Sequence, residues 1–339
     1  MPQRPRLTPA IADVRRAVRE AWMRHGVVSG DRILVACSGG ADSLALAAAS
    51  VFEGSRIGVL VGAVIVEHGL QAETKAVAEA TAKTLAELGA SPVEVRAVKV
   101  AKTKAGGPEA AARTARYAAL DATADELGAK FVMLAHTLND QAETVLLGLA
   151  RGSGNRSLNA MAEVNGRYLR PLLGIERQAT VAFCEDSGLD AWHDPQNKDN
   201  KFARVRARQN VMPVLESELG PGIAQALART ADQLREDEAV LAPMAQDFFD
   251  SFVSLKATSI EIALAEFEAA PLAIRHRVIA MALTVLQAPE FARVHIRAID
   301  ALVDEWHGQK PLSLPGVRVE RTARHIVLKT AKTLKPGAC

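Results

Sequence analysis

From residue 31 to about 150 the chain alternates short apolar runs with longer alanine-rich stretches of helical spacing, and this alternation limits what it can fold into. The runs "RILVAC" (32–37), "GVLVGAVIV" (58–66), "SPVEVRAVKV" (91–100) and "KFVMLAH" (130–136) have the length and β-branched content of strands. Between them, "DSLALAAASVFE", "AETKAVAEATAKTLAELG" and "PEAAARTARYAALDATADELG" are built from good helix formers, with glycine near their ends. Strand and helix in strict alternation predict an α/β fold, a parallel doubly wound sheet covered on both faces. Ligands then sit at the carboxyl ends of the strands. A helix over roughly 9–25 is expected to pack outside this sheet.

Beyond residue 150 the pattern changes. The glycine-rich "RGSGNRSLNAM" and the short "YLRPLLG" lead to a helix from about 175, the polar loop "WHDPQNKDNK" and another helix from about 203. Past "GPG" at 220–222 a long acidic helical stretch reads as a connector to about 253. Residues 258–339 hold helices near 271–286 and 291–307, then "LSLPGVRVERTARHIVLK", whose alternation predicts a hairpin or two short strands. The expected organisation is a catalytic domain at 1–215, a helical connector at 216–257 and a small α+β domain at 258–339. A length of 339 residues with 49% hydrophobic composition suits two domains of ordinary size.

Charge is segregated along the chain. Residues 214–269 carry 3 basic and 11 acidic groups, whereas residues 270–339 carry 11 basic and 5 acidic. That last block and the arginine-rich "FARVRARQ" are where a polyanion would dock, unless both are merely solvated faces. "MPQRPRLTPA" has no apolar segment behind it, and the longest apolar stretch is too short to span a bilayer, so the expectation is a cytoplasmic protein without membrane contact. Cys37, Cys184 and Cys339 are widely spaced, which excludes a disulfide framework or a cysteine-built cluster from this chain alone. Any metal should be oxygen-bound.

The first strand meets the first helix at "LVACSGGADSLAL" (34–46). Gly39 and Gly40 allow close backbone approach, while Ser38, Ala41 and Ser43 stand where hydroxyls and helix N-terminal N–H groups can bind phosphate. Neither a G-x-x-x-x-G-K-[ST] nor a G-x-G-x-x-G pattern is present, so this is neither a Walker-type nor a dinucleotide loop. Asp42 in its middle makes sense as a ligand of Mg²⁺ on a polyphosphate. An ordinary strand–turn–helix capped by Asp and Ser is the alternative.

Other residues gather by position. His136 at the end of the fourth strand is followed by Asp140 and Glu143, three apart on one helical face and near the positive end of a helix dipole. Two acids and an imidazole suit the capture of an amine and the removal of its proton; a capped helix with solvated acids is the plainer reading. Arg113 and Arg116 precede Tyr117, where either can neutralise phosphate or lie on the surface. Arg204, Arg206 and Arg208 alternate, so on a helix they spread over more than one face, and they suit RNA phosphate, a carboxylate or a solvated basic face. His68 follows the second strand, within reach of a nucleotide at the sheet edge.

The S-G-G-x-D-S loop resembles the signature of the PP-loop ATP pyrophosphatases, adenine nucleotide alpha hydrolase-like proteins that cleave ATP between the α and β phosphates. With "VEHGL" (66–70), "PEAAARTARY" (108–117), "AHTLNDQAETVLLGLARGSG" (135–154), "RPLLG" (170–174) and "WHDPQNKDNKFARVRARQNVMP" (192–213) in that order, the chain is similar to the tRNA(Ile)-lysidine synthetases over residues 31–213. Glu67, Thr137 and Asn139 depart from the family pattern, which places Asp, His and Asp there.

The resemblance implies an AMP-forming C–N ligase that joins L-lysine to C2 of the wobble cytidine of an isoleucine tRNA with a CAU anticodon. ATP would adenylate O2 and lysine would then displace AMP, converting codon specificity from AUG to AUA. It implies ATP and Mg²⁺ as cofactors, with ATP on Ser38, Gly39, Gly40, Ala41, Asp42, Ser43 and His68. Asp42, His136, Asp140, Arg113 and Arg116 would be catalytic, Asp42 the metal ligand, and Asp140, Glu143 and Arg208 the lysine site. Arg204 and Arg208 would contact tRNA, with the C-terminal domain on an acceptor or stem region, in a monomer or homodimer. A PP-loop tRNA-thiolating enzyme and a non-catalytic RNA-binding module are the alternatives; the unpaired cysteines argue against the first, the intact Ser38, Asp42 and Ser43 against the second.

Overall fold

A computed structural model describes residues 7–67, 74–98, 107–152, 158–289 and 291–330. Two compact units part between Ala231 and Asp232. In the first unit, β1 (Arg32–Ala36) lies between β2 (Leu60–Glu67) and β4 (Phe131–Met133), with β3 (Val93–Ala97) beyond β2. The β1 pairing is parallel on both sides, Ile33 opposite Val61 and Phe131. Beyond β4 come β6 (Tyr168–Leu169), parallel to it, and β5 (Val164–Asn165), antiparallel at the edge. These two-residue strands are too short to leave an alternating pattern, so "YLRPLLG" does not betray the hairpin turned at Gly166.

Six helices of this unit are α1 (Pro9–Arg24), α2 (Ala41–Ile57), α3 (Thr74–Leu88), α4 (Gly107–Leu127), α5 (Leu138–Ala150) and α6 (Arg177–Asp186). Successive β1 side chains point to opposite faces. Ile33 and Val35 accordingly join Leu44, Leu46 and Phe183 in one apolar cluster, and Leu34 joins Val64, Leu120 and Val132 in another. The parallel sheet expected from the βα alternation is therefore buried on both sides. The chain moves from β1 outward through β2 to β3 and then returns to the other side of β1 with β4. That reversal opens a crevice at the carboxyl ends of β1 and β4, where ligands bind in open α/β sheets.

After α6 the chain is helical from Ala203 to Glu218, with a π-turn at Ala207–Val211. A helix over Ile223–Phe252 then runs across the boundary, so the stretch expected as a connector is divided between the units. The second unit carries β7 (Val253–Leu255), β8 (Ser259–Ala263), β9 (Leu312–Leu314), β10 (Val317–Arg321) and β11 (His325–Lys329). They form one antiparallel sheet in the order β7-β8-β11-β10-β9. Ile260 and Ile262 of β8, Val319 of β10, and Ile326 and Leu328 of β11 are fully buried with Val278 and Ile279 of the helix Leu272–Val285. The α+β class is as expected, but the β7–β8 hairpin is not, because "VSLKATSIEIA" follows an acidic helix without a glycine or proline break.

Helix α1 is fastened to the sheet through Ile11, Val14, Val18, Ala21 and Trp22, spaced three and four apart along one face. Trp22 is buried, and its Nε1 lies 3.3 Å from the Met133 sulfur at the end of β4. Trp22→Ala is expected to cost about 3–5 kcal/mol. Urea unfolding measures this directly, and a loss below about 1 kcal/mol would show that α1 adds little to the unit.

Candidate active site

The loop between β1 and α2 is shaped by one glycine. Gly39 has φ +85, and a Cβ there would lie 2.6 Å from Thr81 Oγ1 of α3, so a side chain is excluded by both backbone and space. Ser43 is buried; its Oγ donates to the Gly40 carbonyl at 2.9 Å and accepts from the Ser38 N–H at 3.1 Å. Ser43 thus braces the loop from inside, while Ser38 is exposed on its rim. Gly40 is the N-cap of α2, so the N–H groups of Ala41, Asp42 and Ser43 stand at the positive end of that helix.

A second helix start faces the same crevice. Thr137 is the N-cap of α5, and Asp140 Oδ2 accepts from the Thr137 N–H at 2.8 Å and its hydroxyl at 3.0 Å. Thr137 therefore serves the structure by fixing the carboxylate of Asp140. The outward oxygen of Asp140 and the carboxylate of Glu143 are not solvated acids, since both residues are buried. Arg208 binds Glu143 with both arms, Nε to Oε1 at 2.6 Å and Nη2 to Oε2 at 3.1 Å. Four residues earlier Arg204 points the same way and donates to Thr144 Oγ1 at 3.5 Å, whereas Arg206 is exposed and donates to the carbonyls of Asn200 and Lys201.

The residue that sequence reasoning missed is Arg177, the first of α6. Its Nε donates to Asp42 Oδ2 at 3.2 Å, its Nη2 to Asp140 Oδ1 at 2.8 Å and its Nη1 to Glu143 Oε1 at 3.5 Å. Its backbone N–H donates to Asn139 Oδ1 at 2.8 Å, and the Thr180 hydroxyl donates to Asp42 Oδ1. Burial favours the uncharged form of Asp140, but Arg177 and the Thr137 N–H outweigh it and hold the carboxyl below its usual range. The same carboxylates push the Arg177 guanidinium further up, against burial. Three acids, Asp42, Asp140 and Glu143, face two guanidiniums, so the cluster keeps one net negative charge.

The other side of the crevice is cationic. His136 follows β4 by three residues; burial presses its pKa down to about 4, with Arg170, Arg116 and Arg204 adding to the effect and Asp140 opposing it. The imidazole is therefore neutral at physiological pH, and among the described residues its Nδ1 and the buried Nε atoms of Arg116 and Arg170 have no hydrogen-bond partner. Of the two arginines on α4, Arg116 turns inward toward His136, while Arg113 is exposed against Tyr117. His68 lies outside the described residues.

A divalent ion fits this loop only in one way. Among the described residues no three His, Cys, Asp or Glu side chains assemble a metal site. Asp42 is the one carboxylate on the loop, which suits an Mg²⁺ held chiefly by nucleotide phosphates and a single protein oxygen.

The PP-loop domain family matches residues 12–215, and the TilS substrate binding domain family matches residues 263–326. A tRNA(Ile)-lysidine synthase of Leifsonia xyli is 50% identical over 298 residues, covering 88% of this chain and 89% of the relative. The chain belongs to the tRNA(Ile)-lysidine synthase family. Relatives of the same name in Thermobifida fusca (47% identity, 94% of this chain and 96% of the relative) and Streptomyces coelicolor (47%, 87% and 84%) agree. Among solved structures, the U34-tRNA thiolase NcsA of Methanococcus maripaludis superposes with a TM-score of 0.57 over 67% of this chain and 79% of its own, at 20% identity. That likeness is one of fold. In this synthase-family chain Cys37 and Cys184 are buried, and burial drives both thiols up, Cys184 to about 12, so neither is a ready thiolate. Among the described residues no helix is long and apolar enough to cross a membrane.

The buried neutral His136 has a consequence for stability. Between pH about 6.5 and about 4 the unfolded chain binds this proton and the folded chain does not, so stability falls as pH is lowered through that window. The difference reaches about 3 kcal/mol at the acid end. In thermal melts from pH 7 to 4.5, His136→Asn is expected to show a shallower decline than the parent; equally steep profiles would place the imidazole in solvent.

Proposed function

We propose that the chain ligates L-lysine to C2 of the wobble cytidine of tRNA(Ile) with a CAU anticodon, consuming ATP and forming AMP and pyrophosphate. The observation that carries this reading is the position of the Asp42–Arg177–Asp140–Glu143 cluster. It joins a phosphate-binding loop to a buried acidic pair, and with Asp42 included the carboxylates of the cluster outnumber its guanidiniums by one. That surplus suits one ammonium group, the side chain of lysine.

In the first step O2 of the cytidine attacks the α-phosphorus of ATP and pyrophosphate leaves. The glycine-shaped loop and the α2 N–H groups hold the phosphates, and Asp42 would hold an Mg²⁺ that would screen their charge. Arg116, turned toward His136, neutralises the α-phosphate side. In the second step the ε-amine attacks C2, the C2–O2 bond breaks and AMP departs with that oxygen. The incoming ammonium loses one proton to solvent before it attacks, and as the C–N bond forms the nitrogen becomes acidic enough for the neutral, weakly basic His136 beside Asp140 to take the next. The acidic pair selects the cation and the imidazole receives this second proton. Thiolation is less well supported, because the buried cysteines offer no thiolate. Both substrates belong to the cytoplasm, which is where we place the enzyme.

Pyrophosphate release from transcribed tRNA, ATP and an amino acid tests the reading. Turnover with lysine should exceed that with arginine or ornithine by more than about tenfold, and equal turnover with any amine would refute it. Asp42→Asn is expected to abolish AMP formation while tRNA affinity stays within about twofold.

The second unit supplies a tRNA contact of its own in this reading. Arg275, Arg277, Arg321 and Lys329 are engaged with Asp304, Glu238, helix carbonyls and Glu320, and among the described residues Arg293, Arg297, Lys310, Arg318 and Arg324 are exposed. Arg293 and Arg297 stand one turn apart on the helix Arg293–Asp304. If both touch phosphate, R293E/R297E lowers tRNA affinity and reduces the salt slope of binding by about two. A slope equal to the parent's would remove this face from the interface.

A further inference from the structure

We propose that Arg177 is a positioning residue that couples the nucleotide half of the site to the amine half. Only the identity of the amine rests on the function proposed above. Asp42 belongs to the phosphate loop, and Asp140 and Glu143 belong to the start of α5. Among the described residues Arg177 is the side chain with a hydrogen bond to each of the three. A guanidinium suits this role because its donors lie in one rigid plane, so fixing it against one carboxylate also fixes the direction it presents to the next. Arg177 is itself fixed: Asn139 holds its backbone, and Thr180, one turn on, holds the other oxygen of Asp42.

Two further features point to coupling instead of simple cross-bracing. A bracing ion pair needs one partner, whereas here one cation is divided among three acids that would otherwise repel one another. Arg177 also lines an open cavity of about 440 Å³ with Asn139, Val181, Glu185 and Arg208, so the two arginines that bind the acidic pair are themselves reached from solvent. A cation approaching Asp140 and Glu143 competes with Arg177 for them and shifts its charge toward Asp42. Anything that draws Asp42 toward the phosphates has the reverse effect. Occupation of either half therefore changes the affinity of the other by the same factor.

The measurement is the ATP dissociation constant of the full-length protein with and without saturating lysine, for the parent, Arg177→Gln and Arg177→Lys. The parent should show a ratio of about fivefold or more, and Arg177→Gln a ratio near one, with tRNA affinity and far-UV spectrum unchanged. Arg177→Lys, a point charge that reaches one carboxylate at a time, should fall between them and serves as the folded variant if the glutamine form is unstable. Equal ratios in parent and variants overturn the proposal, as does a parent in which no amino acid alters ATP affinity. If an amino acid other than lysine produces the coupling, the assigned substrate is wrong and the role of Arg177 is tested with that amino acid.

Discussion

A carboxylate cannot be buried beside two others unless cations come with it, and this requirement organises the catalytic unit. Asp42, Asp140 and Glu143 converge because two helices begin at neighbouring strand ends, which places their first turns together. Uncompensated, such a trio would take up protons and lose its charge. The compensation arrives from α6 through Arg177 and from the helical segment after residue 203 through Arg208. These segments are therefore part of the site although they lie outside the alternating βα pattern. A buried pair of this kind adds little net stability, yet removing one partner is costly, so its value lies in fixing geometry.

The sheet supplies the place and the helices supply the sign. At the reversal between β1 and β4 the starts of α2 and α5 bring positive dipole ends to one crevice. Asp42 and Asp140 sit within those first turns, where a carboxylate is favoured, and the remaining α2 N–H groups are left for phosphate. Gly39 sets how closely the loop lies against α3: the Thr81 side chain, its Oγ1 2.6 Å from where a Cβ would be, fills the space a side chain would need. Ser43 then ties Ser38 to Gly40, so the cradle holds its shape through its own hydrogen bonds.

What could be read from the sequence follows from how local each signal is. The loop at 38–43, the Asp140–Glu143 pair and the Arg204–Arg208 spacing each lie within six residues, and the structure gives each a place in or beside the crevice. Arg177 carries no such signal. It stands in "GIERQAT", an ordinary helix start, and its meaning arises only when the chain folds to bring it to Asp42, 135 positions away. Periodicity also leaves Arg113 and Arg116 equivalent, because both lie on the same side of α4; only the folded packing tells them apart, Arg116 half-buried and Arg113 exposed, although both guanidiniums lie over the Tyr117 ring. The β5–β6 and β7–β8 hairpins escape notice for a different reason: strands of two to five residues are set by their neighbours more than by their own composition.

The two sides of the crevice differ in charge, and the difference suits a reaction with two unlike partners. On one side, three acids and two guanidiniums leave a single negative charge. On the other, burial first, and then the charges of Arg170, Arg116 and Arg204, hold His136 in its neutral form. A histidine at its ordinary pKa would be partly protonated near neutrality and would add one more cation to this side. Held neutral, it lies between a region that favours phosphate and a region that favours an ammonium. The arginines on this side thus help to keep the imidazole uncharged and also lower its basicity, so it is suited to take a proton only from a nitrogen made acidic by bond formation.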